Sequence, residues 1–264
     1  MSSAAPIGVF DSGLGGLSVL REIHALMPQE SLCYIADSRH APYGEKSLAQ
    51  IRQRSVVCAD WLLEQGVKAI VVACNTATAA AVSQLRARYT LPIIAMEPAV
   101  KPAGKVTQTG RVGVLATAGT LSSKKYESLL RQHACHVTVI SQPCPGLVEE
   151  IEKGDFESMV LRGLLSSYLE PLLQAQVDTL ILGCTHYSLI RRLIVELVGE
   201  AVAVLDGGAA VARQLKQQLV SRQLLNLHSS IHPLRCWSSG DLKKQQPLLQ
   251  QIWLHPFELN GLPN

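Results

Sequence analysis

The sequence predicts an α/β protein made of two related units, each a parallel sheet covered by helices, with a ligand cleft between them. Three observations predict it. Short aliphatic runs alternate with amphipathic stretches along the chain, a pattern that requires crossover helices on both faces of parallel sheets. The stretch beginning at Ile7 resembles the one beginning at Val112. A ten-residue stretch around Cys74 recurs around Cys184.

The strand candidates in chain order are Ile7–Phe10, Leu32–Ala36, Ala69–Ala73, Ile93–Met96, Val112–Ala116, Val137–Ile140, Leu180–Gly183 and Val202–Leu205. Each is a short apolar run, as expected of strands buried on both faces. Helical spacing fills the gaps. Leu48, Ile51, Ala59, Leu62 and Leu63 share one such stretch, and Gly66 is positioned to stop it. TATAAAVSQLRARY after Cys74 and YSLIRRLIVELV after Cys184 also read as helices. In sheets of this class ligands bind beyond the carboxyl ends of the strands, so the chemistry is expected where strands stop.

The repeat organises the chain. IGVFDSGLGGLSVL (Ile7 to Leu20) matches VGVLATAGTLSSKKY (Val112 to Tyr126) as strand, small polar turn and helix. VKAIVVACNT (Val67 to Thr76) matches VDTLILGCTH (Val177 to His186) still better, with a cysteine at the same strand terminus. Two such units facing each other put one cysteine in each wall of a shared cleft. EPAVKPAGK reads as the crossing into the second unit. The stretch from Gly207 to Asn264 is too short and mixed for a third unit, so the chain is expected to return to the first. The expected domains are 1–97 with 207–264, and 98–206.

Composition bounds the function. The chain has 264 residues, 47% hydrophobic and 17% charged, which describes a folded chain and not a disordered one. With 24 basic and 21 acidic residues and no dense Lys/Arg stripe, it is not expected to bind nucleic acid. The first residues, MSSAAPIGVFDSG, have no basic segment leading into an apolar one, and no apolar run is long enough to span a bilayer. A soluble, cytoplasmic protein without membrane partners is expected. The seven cysteines are odd in number, form no CxxC pair, and suit a reducing compartment. Cys33 and Cys58 read as buried filler. His133, Cys135, His136 and Cys144 fit no standard ligand spacing, so no metal site is expected.

Cys74 and Cys184 each end an apolar run and precede a helix. A helix N-terminus is expected to lower the thiol pKa toward the working range. Asn75, Thr76, Thr185 and nearby N–H groups could cradle a carboxylate. Asp11 leads the turn Ser12-Gly13-Leu14-Gly15-Gly16, which lacks the spacing of a dinucleotide loop. An aspartate there would repel phosphate; it either serves an ammonium group or a thiol, or simply caps the next helix. Pro42, Tyr43 and Gly44 lie in a polar loop, where Tyr43 offers a hydroxyl and Gly44 an N–H, or where the three only make a turn. Thr117 and Thr120 occupy in the second unit the place of Asp11 and its loop in the first. On pattern alone Glu152, in LVEEIEKGDF, is a surface charge on a helix. Two thiols on opposite faces of a small substrate suit racemisation, in which one group removes a proton from Cα and another delivers one from the far side.

DSGLGGLSVL, ADSRHAPYGEKS, VVACNTATAAA and LGCTHYSLI together resemble the glutamate racemases of bacterial cell-wall synthesis, over Ile7 to about Asp206. The resemblance implies interconversion of L- and D-glutamate for peptidoglycan, without pyridoxal phosphate or another cofactor, in a pseudo-symmetric two-domain α/β fold. It implies Cys74 and Cys184 as the catalytic acid/bases, with Asp11 assisting Cys74 and His186 assisting Cys184. It implies substrate binding by Asp11, Ser12, Pro42, Tyr43, Gly44, Asn75, Thr76, Thr117, Thr120, Glu152, Thr185 and His186. Ala116 replaces the first glycine of the family's GTxGT pattern, and the acidic match falls on Glu149, Glu150 or Glu152. A homodimer is left open. So are three rivals: an aspartate or hydantoin racemase, a cysteine hydrolase using Cys184 and His186, and a small-molecule binder. Residues two apart at a strand end rarely reach nucleophile–base geometry, and a hydrolase would leave Cys74 unexplained.

Overall fold

The computed structural model describes residues 2–228 and 232–263. Its strands, in chain order, are β1 (Ile7–Asp11), β2 (Leu32–Ala36), β3 (Ala69–Val72), β4 (Ile93–Ala95), β5 (Arg111–Ala116), β6 (Thr138–Pro143), β7 (Thr179–Leu182), β8 (Ala203–Leu205), β9 (Leu234–Ser238) and β10 (Phe257–Gly261). They form two sheets, ordered β10-β9-β2-β1-β3-β4 and β6-β5-β7-β8, in which every pairing is parallel. The runs read as buried strands therefore all pair, with ends shifted by a residue or a few, but β6 lies at the edge of its sheet and is half-buried to exposed, so there the expectation of burial is corrected. β9 and β10 were not foreseen; they extend the first sheet beyond β2.

The order β2-β1-β3-β4 in one sheet repeats as β6-β5-β7-β8 in the other. Register makes the repeat residue-specific. Phe10 pairs with Val72 and Leu115 pairs with Leu182. Counting outward from those pairs, Cys74 and Cys184 are equivalent, Ser12 matches Thr117, and Asp11 matches Ala116. Gly8 and Gly113 are equivalent too, for a packing reason. A Cβ on Gly8 would lie 3.0 Å from Leu62 and Val67, and one on Gly113 would lie 3.1 Å from Leu172 and 3.5 Å from Val177. In each unit the crossover helix and the following turn press on the central strand at the same place, and only glycine admits them.

Both faces of both sheets are covered. The helices Leu17–Leu26, Gly208–Ser221 and Leu242–Ile252 cover one face of the first sheet, and Leu48–Glu64 and Asn75–Arg88 cover the other. Met159–Gln174 and Arg191–Val198 face Val100–Val106 and Lys124–His133 across the second. The helix Leu48–Glu64 starts in a capping box between Ser47 and Gln50, and Gly66 follows it at φ 72°, the left-handed conformation suited to a helix stop. The stretch after Cys184 is not one helix. It makes a short turn of helix, Thr185–Leu189, and restarts at Arg191 after Ile190. The proposed domains remain 1–97 with 207–264, and 98–206. Among the described residues no helix is long and apolar enough to cross a membrane.

Candidate active site

β1 beside β3, and β5 beside β7, are the points in the two sheets where the chain changes direction of winding. Crevices open at the carboxyl ends of such strands. The two crevices face each other across a narrow cleft lined by Ser12, Pro42, Tyr43, Gly44, Cys74, Asn75, Thr76, Thr117, Val148, Gly183, Cys184, Thr185 and His186. Cys74 and Cys184 both line it and both are buried. Of the residues singled out from the sequence, Asp11, Thr120 and Glu152 stand directly behind this wall. Val148 was not foreseen, because an apolar residue on an amphipathic helix carries no sign of facing a cavity instead of the core.

The two thiols differ in setting. Cys74 caps the helix Asn75–Arg88, its sulfur accepting the Ala77 N–H at 3.4 Å, and its thiol lies 3.7 Å from the Ser12 hydroxyl. The helix N-terminus does not lower its pKa as the sequence suggested. Burial, and then the charge of Asp11, push it up to about 12, against which the Ala77 and Ser12 bonds work only in part. The Cys184 sulfur instead lies 3.8 Å from His186 Nδ1, and His186 Nε2 lies 2.7 Å from Glu152 Oε1. Residues two apart do meet here, because the first helical turn after the strand folds the imidazole back over the sulfur. Burial works to lower the His186 pKa, but its bonds to Cys184 and Glu152 outweigh that and hold it well above the ordinary histidine value. Burial likewise opposes ionisation of Glu152, and the His186 bond outweighs it, leaving that carboxyl below its usual range. An imidazolium so placed puts positive charge beside the Cys184 sulfur.

Asp11 is fully buried. It does not cap the next helix, whose N-cap is Gly16. It accepts the Gly13 N–H at 2.8 Å and the Thr185 hydroxyl at 3.0 Å, and the Ser12 hydroxyl lies 3.4 Å from it. Its path to Cys74 therefore runs through Ser12, while its direct bond from the other unit comes from the neighbour of Cys184. Burial raises its pKa, with His186 as the main opposing influence.

The acidic residue in the site is Glu152, which also accepts the Leu14 N–H at 2.7 Å. Glu149 is exposed and Glu150 pairs with Lys153 at the surface, so the reading of Glu152 as a surface charge is corrected. It ends the helix Leu147–Glu152 on the side that faces the glycine turn. The Tyr43 hydroxyl is not offered to the cavity. It donates to Asp37 Oδ2 at 2.6 Å, and Arg54 and His40 hold the same carboxylate. Gly44 serves a close approach, since a Cβ there would stand 2.6 Å from Thr117. The hydroxyls of Thr76, Thr117 and Thr120 lie within 2.9 to 3.0 Å of one another across the two units. The Asn75 amide is buried with neither its oxygen nor its nitrogen bonded to protein. Such a group is costly unless a ligand or water completes it.

A site with two buried thiols on facing walls, ringed by hydroxyls and one unpartnered amide, is built to bind a small polar molecule and move protons on it. The Asp/Glu/Hydantoin racemase family pattern matches residues 7–215. A glutamate racemase of Ectopseudomonas mendocina (strain ymp) is 56% identical over 97% of this chain and 99% of its own length. One from Pseudomonas aeruginosa is 54% identical over 98% of each chain. Among solved structures, the glutamate racemase isoform RacE1 of Bacillus anthracis superposes with a TM-score of 0.88 at 32% identity, covering 97% of both chains. The Escherichia coli glutamate racemase, solved with L-glutamate and the activator UDP-MurNAc-ala, superposes at 0.87 with 31% identity over 97% of both chains. A glutamate racemase of Francisella tularensis, solved with D-glutamate, superposes at 0.85 with 29% identity over 99% of this chain and 98% of the other. The chain is a racemase and belongs to the Asp/Glu/Hydantoin racemase family.

Proposed function

We propose that this racemase interconverts L- and D-glutamate by a two-base reaction at Cys74 and Cys184, without a cofactor. The observation that carries the reading is the pair of equivalent strand ends, each bearing a buried thiol on one shared cleft. The neighbours solved with L-glutamate and with D-glutamate support the choice of substrate over aspartate or a hydantoin.

The Cys184 thiolate, paired with the His186 imidazolium, takes the Cα proton of one enantiomer, and the C–H electron pair stays on Cα as a carbanion. The Cys74 thiol then gives its proton to the opposite face and is left as thiolate. Its high pKa keeps it protonated until that step. Asp11, through Ser12, and His186, with Glu152 behind it, assist the two sulfurs. Ser12, Asn75, Thr76, Thr117 and the Thr185 N–H supply donors to the substrate's carboxylates, with Thr120 bracing the Thr76 and Thr117 hydroxyls from behind, while Pro42, Tyr43 and Gly44 close the wall. Fixed donors in a site without bulk water stabilise the carbanion more than water would.

We extend the proposal, on the resemblance, to supply of D-glutamate for peptidoglycan in the bacterial cytoplasm; growth of a D-glutamate auxotroph checks it, and sedimentation decides whether the chain forms the homodimer left open above. The decisive experiment is circular dichroism of L-glutamate with the dialysed protein. Decay of the signal to zero without added metal or cofactor is expected, with L-aspartate and a hydantoin unchanged. A stable glutamate signal, or faster turnover of either alternative, overturns the assignment.

A further inference from the structure

Tyr34 does not line the cavity. It lies on β2, behind the glycine turn, with its side chain fully buried. A tyrosine in a strand core needs only a partner for its hydroxyl, and the partner of this one is consequential. The phenol donates to the Gly13 carbonyl at 2.6 Å. That carbonyl shares a peptide group with the Leu14 N–H, which donates to Glu152 Oε1 at 2.7 Å. The same Glu152 oxygen lies 2.7 Å from His186 Nε2, and His186 Nδ1 lies 3.8 Å from the Cys184 sulfur. One unbroken line of contacts thus runs from a strand of the first unit, through a single peptide plane, to the thiol of the second. Gly16 leaves room for it, since a Cβ there would stand 2.8 Å from the Tyr34 oxygen.

We propose that Tyr34 is a positioning residue for the Cys184 half of the site, acting through the Gly13–Leu14 peptide on Glu152 and His186. A phenol donating to the carbonyl end of a peptide polarises it and strengthens donation by its N–H end. It also fixes the peptide plane, and so aims the Leu14 N–H at Glu152. Glu152 is then held with its oxygen against His186 Nε2, which turns the other imidazole nitrogen toward Cys184. The titratable groups that face His186 are Glu152 and Cys184 by contact, with the buried Asp11 carboxyl nearby, and the Gly15 N–H also lies 3.3 Å from Nε2, so the imidazole's charge state reports on this arrangement. Tyr34→Phe removes one oxygen, keeps the ring in the core, and leaves the Gly13 carbonyl buried without a donor.

This inference rests on the proposed two-thiol reaction, but its test does not need turnover. The imidazole of His186 is followed by NMR as pH is varied, in the wild-type protein, Tyr34→Phe, Glu152→Gln and the double variant. Tyr34→Phe is expected to move the His186 midpoint downward. The double variant is expected to match Glu152→Gln alone, because Tyr34 acts through Glu152. An unchanged midpoint in Tyr34→Phe, or fully additive shifts, overturns the proposal. Where glutamate turnover is measured, kcat for Tyr34→Phe is expected to fall about tenfold, the size of one lost buried hydrogen bond, with little change in KM. A loss of melting temperature with unchanged kcat and an unchanged midpoint marks Tyr34 as structural only and overturns it as well. Absence of racemisation in the wild-type protein would fall on the proposed function instead, and leaves the titration result standing on its own.

Discussion

Cys74 and Cys184 occupy equivalent positions yet face opposite electrostatics. Asp11 places negative charge near the first, and the His186 imidazole places positive charge against the second. The thiolate is the nucleophile, so an alkylating agent reads this difference directly. With iodoacetamide at mildly alkaline pH, peptide mapping is expected to find Cys184 modified before Cys74, with exposed Cys135 as the accessible reference. Glutamate is expected to protect the two buried thiols and not Cys135. Modification of Cys74 first would contradict the charge assignment. Cys74→Ser and Cys184→Ser are each expected to lower racemisation below detection in the circular dichroism assay while the melting curve is kept, because a hydroxyl is far too weak an acid to stand in for the thiol. At this scale sequence reading has a clear limit. The cysteines are legible because a strand end is marked by where an apolar run stops, and the repeat marks it twice. Glu152 is legible only by resemblance, since helical spacing alone does not tell which of three neighbouring glutamates turns inward. Tyr34 is not legible at all, because its role lies in the partner of its hydroxyl. The expected lowering of the Cys74 pKa failed because burial outweighs one helix terminus.

At the scale of elements, the glycine turn after β1 explains its own composition. It is not a phosphate loop. A Cβ on Gly15 would stand 2.4 Å from His186 Nδ1 and 2.6 Å from the His186 backbone nitrogen, and one on Gly16 would stand 2.6 Å from the Asp11 Cβ. The turn is glycine-rich because the first turn of the helix Thr185–Leu189 presses on Gly15, while Asp11 and Tyr34 of the first unit crowd Gly16. Flexible side chains could yield, but the His186 backbone cannot. Gly15→Ala is therefore expected to cost about 1–3 kcal/mol of stability in denaturant melts. It is also expected to impair turnover more strongly, because the first thing displaced is the imidazole facing Cys184. Normal kcat in Gly15→Ala would show that the turn and His186 move apart freely. Most strands of the fold were legible as short aliphatic runs. β9 and β10 were not, since LRCWS and FELNG mix charged, polar and aromatic residues, as suits strands on the outer side of the first sheet where β10 is largely exposed. The helix break at Ile190 was also missed, because YSLIRRLIVELV keeps helical spacing through the turn.

The molecule as a whole is two copies of one αβ pattern turned to face each other, and its proposed chemistry depends on that doubling. A single wall carries one proton acceptor; two walls carry an acceptor and a donor at once. Bonds across the boundary, from Thr185 to Asp11, from Leu14 to Glu152 and among Thr76, Thr117 and Thr120, hold the walls in register. This arrangement makes a claim about isotopes that a single-base enzyme does not share. Consider L-glutamate converted in deuterated water and sampled early. The Cα proton goes to one sulfur, while the new hydrogen comes from the other, which has already exchanged with solvent. Product D-glutamate is then expected to carry deuterium at Cα from the first turnovers. Recovered L-glutamate is expected to carry almost none, because the sulfur that took its proton can return only that proton while the complex lasts. One mobile base would either deliver the original proton to the product or spread solvent deuterium into both pools. Mass spectrometry of the separated enantiomers distinguishes these cases. Deuterium rising in unreacted substrate as fast as in product would mean that the two walls do not divide the work, and the duplication would then have no part in the chemistry.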